Sequence, residues 1–599
     1  MPPGMSEHEV ELTSQHNQEQ HNQEQQNQQQ NNQEQHSKGQ RNQQRSSRTA
    51  HTTRATHATR SAQVARKTSA VKAPHTTVLS REDSYRDGKL THVAFLSLAI
   101  LTFITFVGNF TQLQLSAALP NIVEEFGVSV TTGQWLTSVF QLVMGVMVPL
   151  TAFLTKRFST RQIVIASMII FTAGSALAWL APSFILLLTG RILEAIGTGV
   201  MWPVLQITVF SIFPLSRRGM AMGTVGLAMS VAPAIGPTLG GVQTDLTGWR
   251  SIFLTLTIIG GISILASVLW LKDFGNHDAT AHADFFSVIL SIFGFGGLMF
   301  GFTNIESFPF AHPMVWAPML VGIAGIVWFV IRQIQRKREE QLAIDQGDVE
   351  RARLRAPLLD LSVLRNRGFT IGTITASISF FAFSSIVVIM PLYIQDDRGF
   401  SATMSGLVML PGALGQAIAQ FFGGKALDRF GARPVAIVGS TILMLGTFGM
   451  STISATSWIW WVSIYQFIRQ IGMGFVLMPI TTWSLNCLEE HNVSAGSAVT
   501  NTARQIAGAM GAPVLVILLE TFSQIRHEAL GGGAATLAAA NIFGTQWVLR
   551  ISGVLCLIML IIVLVGVRGQ GAGTAHAAGR SALHKIQAIT HTGDHHHMH

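Results

Sequence analysis

From residue 93 onward the chain is a succession of fourteen apolar stretches with short polar breaks between them. They run 93–118, 133–155, 161–181, 183–209, 217–242, 249–271, 285–304 and 315–333, then 367–394, 402–426, 433–453, 457–486, 494–522 and 545–567. At 1.5 Å per residue each is long enough, as a helix, to cross a hydrocarbon core of about 30 Å. The composition fits that reading, with 48% hydrophobic and only 12% charged residues over 599, far too apolar for a soluble chain of this length. The expectation is an all-α polytopic membrane protein with fourteen transmembrane helices.

The loops give a direction. Lys156, Arg157 and Arg161, then Arg217 and Arg218, then Arg336, Lys337 and Arg338, then Lys425, Arg429 and Arg433 all fall in loops on one side, while the other side holds scattered cations such as Arg250, Arg398 and Arg526. An excess of Lys and Arg marks the cytoplasmic loops, which places both termini inside a cytoplasmic membrane. Trp458, Trp460 and Trp461 then fall at the outer interface, where indole rings collect. The net charge of +9 follows from this loop bias and implies no nucleic-acid partner. Residues 1–92 read as a disordered cytoplasmic tail, first Gln, Asn, Glu and His repeats, then nine Lys or Arg from Lys38 to Lys72 without an acid. Such a tail is either a solvated segment or a tether to anionic lipid or nucleic acid. Cys487 and Cys556 lie in or beside apolar helices, so no disulfide framework is implied.

One stretch stands out within the fifth helix. In Gly226–Gly241, GLAMSVAPAIGPTLGG, Ala228, Ala232, Gly236 and Gly240 recur every four residues on one face. A face of small residues lets another backbone approach closely. Pro233 and Pro237 each remove a backbone donor and should bend the helix. Gly226 with Gly236-Pro237-Thr238-Leu239-Gly240-Gly241 resembles the antiporter motif of major facilitator exporters. The resemblance covers about residues 93–567 and is to the fourteen-helix drug:proton antiporters, including the lincomycin-resistance type. It implies a six-plus-two-plus-six arrangement: a six-helix bundle over 93–271, an inserted two-helix hairpin over 272–333, a cytoplasmic linker over 334–366, a second bundle over 367–567 and a cytoplasmic tail over 568–599.

Further motifs carry the same resemblance. In the fourth helix, Arg191 lies about 12 Å deep, where an arginine is costly unless paired or hydrated. Glu194 sits three residues on, the same face. The run Arg191-Ile-Leu-Glu194-Ala195-Ile-Gly197 resembles a motif whose arginine is linked to proton transfer, with Glu194 where Gln is usual. The pair is therefore either a titrating proton site or a permanent ion pair. The loop Gly424-Lys-Ala-Leu-Asp428-Arg429-Phe-Gly431-Ala-Arg433 resembles the family's gating loop, in which Asp428 can cap a neighbouring helix N-terminus and latch one state. Its first-half copy is degenerate, with Lys156 for the acid and Ser159 for the glycine. In the first helix Thr111 stands where the family usually has Asp. Asn109, Gln112, Arg469, Arg504 and Gln505 are the candidate cavity residues. The two deep arginines among them either face substrate or bond backbone carbonyls at broken helices.

These features point to proton-coupled efflux of amphipathic compounds, drugs or bile-salt-like anions, by alternating access. An importer or flippase on the same fold, and a membrane sensor or scaffold, are the other classes. No phosphate-binding loop, catalytic constellation, metal cluster or cofactor motif occurs, so no enzyme activity and no cofactor are expected.

Overall fold

The computed structural model describes residues 78–128, 130–274, 281–305, 307–400 and 402–568. The long polar and basic tail to residue 77, and the tail from 569 with its histidines, lie outside the described residues. The chain divides into two units. The larger, 71–341 with 350–599, holds the helices. The smaller, 1–70 with 342–349, is described only as the end of one helix and a turn at Gly347, φ +77°.

Among the described residues fourteen long helices follow in order. They are α1 His92–Gln114, α2 Val130–Met147, α3 Thr160–Trp179, α4 Phe184–Gly199, α5 Arg218–Thr247, α6 Arg250–Trp270, α7 Phe285–Asn304, α8 Pro313–Asp345, α9 Arg367–Leu392, α10 Ala402–Phe430, α11 Ala432–Met450, α12 Ile459–Asn486, α13 Val493–Ala529 and α14 Leu537–Gly566. Thirteen of the spans are long and apolar enough to cross a membrane by length and composition. The exception is α12, which carries Tyr465, Gln466, Arg469 and Gln470. Gln466, Arg469 and Gln470 are all buried, so these polar groups do not meet lipid.

Breaks fall where the sequence weakens the helix ladder. Pro149 turns the end of α2 into a short tight helix before Thr151–Arg157, and Pro203 opens the segment Met201–Ile212 that continues α4. Pro120 stands in the first turn of a short helix, Leu119–Phe126, after α1, as its missing donor allows. In contrast, α5 runs unbroken as a helix through Pro233 and Pro237.

Two domain boundaries move. Residues 78–91, assigned to the tail, are structured. β1 Val78–Leu79 and β4 Asp273–Phe274 pair in parallel, and β2 Tyr85–Arg86 and β3 Lys89–Leu90 form a hairpin. Ser80 caps the short helix Arg81–Ser84 in a reciprocal box with Asp83. The linker, expected from residue 334, begins as an uninterrupted continuation of α8 to Asp345. The foot of the inserted hairpin is an ion cluster: Asp284, at the start of α7, pairs with Arg332 at 2.8 and 3.0 Å and with Arg336 at 2.8 Å, and accepts from Ser287. Burial alone would raise the Asp284 carboxyl, but the two guanidiniums and the Ser287 hydroxyl outweigh it and hold it at about 2.

The two halves meet most densely between α5 and α10 at the basic-loop end. Gly219 and Gly223 on α5 leave no room for a Cβ. One on Gly219 would stand 2.5 Å from Gly424 O, and one on Gly223 2.7 Å from Gln420 O. The glycine on the other helix is as tight, since a Cβ on Gly424 would lie 2.1 Å from Gly219 O. Backbone therefore lies on backbone across the divide.

Candidate functional site

Two sets of polar side chains carry chemistry inside this scaffold. The first is enclosed within the first half. Arg191 and Glu194 are 1% and 0% exposed and pair at 3.0 Å. Ser175 on α3 donates to the other carboxylate oxygen at 3.0 Å. The guanidinium also donates to Thr111 O of α1 at 3.2 Å and Leu136 O of α2 at 3.1 Å, and lies 4.4 Å from the Phe140 ring. Its Nη2 is buried without a partner. A charge pair removed from water this completely persists only when hydrogen bonds complete it. Three helices, α1, α2 and α3, supply them here. Thr111, where the family's helix-1 acid is usual, thus sits against the guanidinium that Glu194 neutralises.

The second half holds a counterpart with different charge. A Cβ on Gly174 would strike Glu194 N at 2.8 Å, and one on Gly446 would strike Arg469 N at 2.8 Å. Gly197 packs on α3 and Gly472 on α11 in the same manner. These contacts align Arg469 with Glu194, and Gln466 with Arg191. Arg469 is 1% exposed and donates to Ala382 O at 3.1 Å and Gln466 Oε1 at 3.5 Å. It is removed from the candidate cavity residues, because its charge is spent on backbone inside the second half.

The second set joins the halves at the basic-loop end. Asp428, at the end of α10, accepts from Gly219 N at 2.9 Å and Met220 N at 2.7 Å. These are unsatisfied donors of the first turn of α5, where the helix dipole also favours an anion. Arg218 donates to Asn486 Oδ1 at 3.2 Å. Arg81, in the short helix before α1, pairs with Glu490 at 2.7 Å while donating to Phe210 O at 3.1 Å. On the other flank Thr155 and Ser494 share a hydrogen bond of 2.6 Å. Beneath it Gln206 Oε1 accepts from Ser497 at 2.6 Å and Asn501 at 2.8 Å, and Trp202 Nε1 donates to Asn501 Oδ1 at 3.2 Å. Gly219, Gly223 and Gln420 belong to this closure and were not singled out in the sequence, and Gly424 was named there only as the start of the gating loop. The signal was present as three small residues, Gly219, Gly223 and Gly226, one turn apart on α5.

The remaining predicted residues divide. Gly240 faces α1, where a Cβ would stand 2.0 Å from Gln114 O, and Gly236 faces Phe110 O. Gly226 faces α10 and α12 instead, against Gln420 and Met478. Gly241 is half-buried beyond them, and Pro233 is exposed. Arg429 lies 5.1 Å from the Phe430 ring. Gly431 takes φ +86°, which a side chain disfavours, to turn the chain into α11. Arg433 leaves the gating set, since it donates to Leu564 O and Val567 O at the end of α14. Arg161 does the same to Val268 O of α6. Both arginines tie a loop to the last helix of their own half. Ser159 caps α3 in a reciprocal box with Gln162. Asn109 donates to Met229 Sδ at 3.4 Å. Gln112, Arg504 and Gln505 are part-buried, and Arg504 donates to Asn501 Oδ1 at 3.3 Å.

Comparison with known proteins agrees with this architecture. Residues 98–512 match the model of the Major Facilitator Superfamily. YcnB of Bacillus subtilis, an uncharacterised transporter of that superfamily, is 34% identical over 452 residues, covering 74% of this chain and 92% of its own. The lincomycin resistance protein LmrB of the same organism is 32% identical over 422 residues, covering 69% and 83%. A multidrug resistance protein B homologue of Mycobacterium tuberculosis is 26% identical, covering 68% and 72%. The human organic anion transporter MFSD10 shares the fold, with a TM-score of 0.53 at 13% identity over 78% of this chain and 99% of that one. The chain is a multi-pass membrane transporter and belongs to the Major Facilitator Superfamily, in the branch of the lincomycin-resistance type.

Proposed function

We propose that this transporter exports amphipathic small molecules across the cytoplasmic membrane in exchange for protons, by alternating access of its two halves. The observation that carries the reading is the pair Arg191–Glu194, a carboxylate deep among the helices, held by a guanidinium that also grips α1 and α2. Protonation of Glu194 cancels the attraction to Arg191 and leaves that cation to its carbonyl partners. The helices it binds are thereby biased towards another packing. A proton and a substrate each shift the two states only by their difference in affinity for them.

The basic loops are cytoplasmic under the charge rule, which places both termini inside. The contacts of Asp428, Gln206 and Ser494 then close the cytoplasmic end, and release of that end opens the substrate path inwards. Outward transport is supported by relatives whose names record resistance to lincomycin and to several drugs, and by the small-residue face of α5.

The test is Glu194→Gln in proteoliposomes under an imposed pH gradient, with lincomycin and ethidium as probes. Gln keeps a hydrogen-bonding side chain of the same shape beside Arg191 and Ser175. The variant should remain folded and lose substrate-coupled proton movement. Coupling at the wild-type level would refute the assignment.

A further inference from the structure

We infer that Arg504 is the charge-recognition residue of the substrate path and that the preferred substrates are amphipathic monoanions, carboxylates or sulfonates with an apolar body. The inference rests on the exporter reading. Ser497, Asn501, Arg504 and Gly508 share one face of α13 at 3.6 residues per turn. Ser497 and Asn501 bond Gln206 and Trp202 of the first half. Arg504 therefore stands one turn above the closed contact, where the same face of α13 meets Phe380 of α9. It lies about 17 Å from the start of α13, near the middle of the bilayer.

Of the three deep arginines it is the one that is not fully buried, and its described hydrogen bond is to Asn501 Oδ1. Arg191 has Glu194, and Arg469 is enclosed with Ala382 O. Arg504 is part-buried, has no described carboxylate within ion-pair distance, and rests 5.1 Å from the Phe380 ring. Gly508 makes room for that ring, since a Cβ there would strike it at 2.7 Å.

The hydrogen-bond inventory points the same way. The two side-chain carbonyl oxygens of this cluster are both fully used. Asn501 Oδ1 accepts from Trp202 and Arg504, and Gln206 Oε1 accepts from Ser497 and Asn501. Each carbonyl oxygen has two lone pairs. Two donors remain buried without partners, Arg504 Nε and Gln206 Nε2. Donors are in surplus and the net charge is positive, so a molecule entering here completes the site by bringing acceptor oxygens with negative charge. Phe380, and Phe383 at 6.1 Å from it, offer rings to its apolar body.

The experiment is equilibrium binding of radiolabelled cholate and of ethidium to the full chain in nanodiscs of phosphatidylcholine alone, which keeps anionic lipid headgroups out. Wild type should bind cholate. Arg504→Gln should weaken cholate at least tenfold while leaving ethidium within twofold, and Arg504→Lys should fall between. Ethidium binding and a monodisperse gel-filtration peak report that each variant is folded. Repeating the titration in phosphatidylglycerol discs shows whether a lipid phosphate competes for the same arginine. The inference is overturned if Arg504→Gln binds cholate as wild type does, or if wild type binds ethidium alone. The second outcome leaves the exporter standing. Conversely, cholate binding by a wild type that moves no protons would sink the coupling and leave the anion site.

Discussion

Replacing Asp428 with Asn should open the basic-loop end by a calculable amount. Its two carboxylate oxygens accept from Gly219 N and Met220 N at 2.9 and 2.7 Å. Hydrogen bonds to a charged partner contribute about 1.5–3 kcal/mol each, and an anion at a helix N-terminus adds about 0.3–1 kcal/mol. Asn keeps one acceptor oxygen and loses the charge, so the loss is on the order of 2 kcal/mol, about 30-fold in the ratio of closed to open forms. Ser497 reports on that ratio. It is 0% exposed in the closed contact, and the native Cys487 and Cys556 are buried. The labelling rate of Ser497→Cys by a membrane-permeant maleimide follows the open population while opening is fast relative to labelling. Asp428→Asn should raise that rate about 30-fold and Asp428→Ala further. Arg429→Gln should change it little, since Arg429 stacks on Phe430 of its own helix. A rate for Asp428→Asn within twofold of the parent would refute the idea that this carboxylate holds the halves together.

Two other outcomes follow from buried charge. Arg191→Met alone strands Glu194 and should lower thermal stability by about 3–5 kcal/mol. Adding Glu194→Leu should recover most of that while transport stays lost, whereas recovery of transport would make the pair purely structural. At the hairpin foot, Asp284 is held at about 2, below the ordinary aspartate value of 3.8. It therefore stabilises the fold fully above pH 3.8, and the effect is lost as pH falls through about 2. The melting difference between wild type and Asp284→Asn, on the order of 1–2 kcal/mol, should be constant from pH 7 to 4 and gone near pH 2. A difference that persists there would mean that the cluster acts by packing rather than charge.

The helix count was legible because bilayer thickness imposes a length that composition reveals directly. Helix 12 was found by the same reading even though its Tyr, Gln and Arg content makes it the weakest span. Boundaries were read less well where burial changes at a helix end. The apolar pattern of α8 stops near residue 333, but the helix continues because Arg332 and Arg336 bind Asp284 on their way out of the membrane. Residues 78–91 look like tail in composition. They are structured by contacts distant in sequence, above all Arg81 with Glu490 and β1 with β4. The pairing of Arg191 with Glu194 follows from their spacing. The fate of Arg469 does not, because nothing local says that Ala382 O will meet it. The α5 stripe of Gly219 and Gly223 was overlooked for a related reason. A small-residue face shows where a backbone can approach, but not which backbone does.

The two halves are built alike and charged differently, and the differences fall on the steps a proton can influence. At equivalent places against Gly174 and Gly446 stand Glu194 and Arg469, one able to lose its charge and one permanently cationic. The loops are likewise unequal. Asp428 holds the first turn of α5 with a carboxylate, while the first-half loop offers Thr155 to Ser494 through a neutral hydrogen bond. A change of protonation can therefore act on the interior of the first half and on the α5–α10 contact, whereas the Thr155–Ser494 hydrogen bond joins two hydroxyls that carry no charge. Opening should begin along α5 and α10, with the Thr155–Ser494 flank serving as the pivot. Cross-linking Thr155→Cys to Ser494→Cys should then slow transport far less than joining Ser230→Cys to Gln420→Cys, whose side chains meet across α5 and α10 at 2.7 Å. Equal inhibition by both would show that the halves part as a rigid pair with no preferred edge.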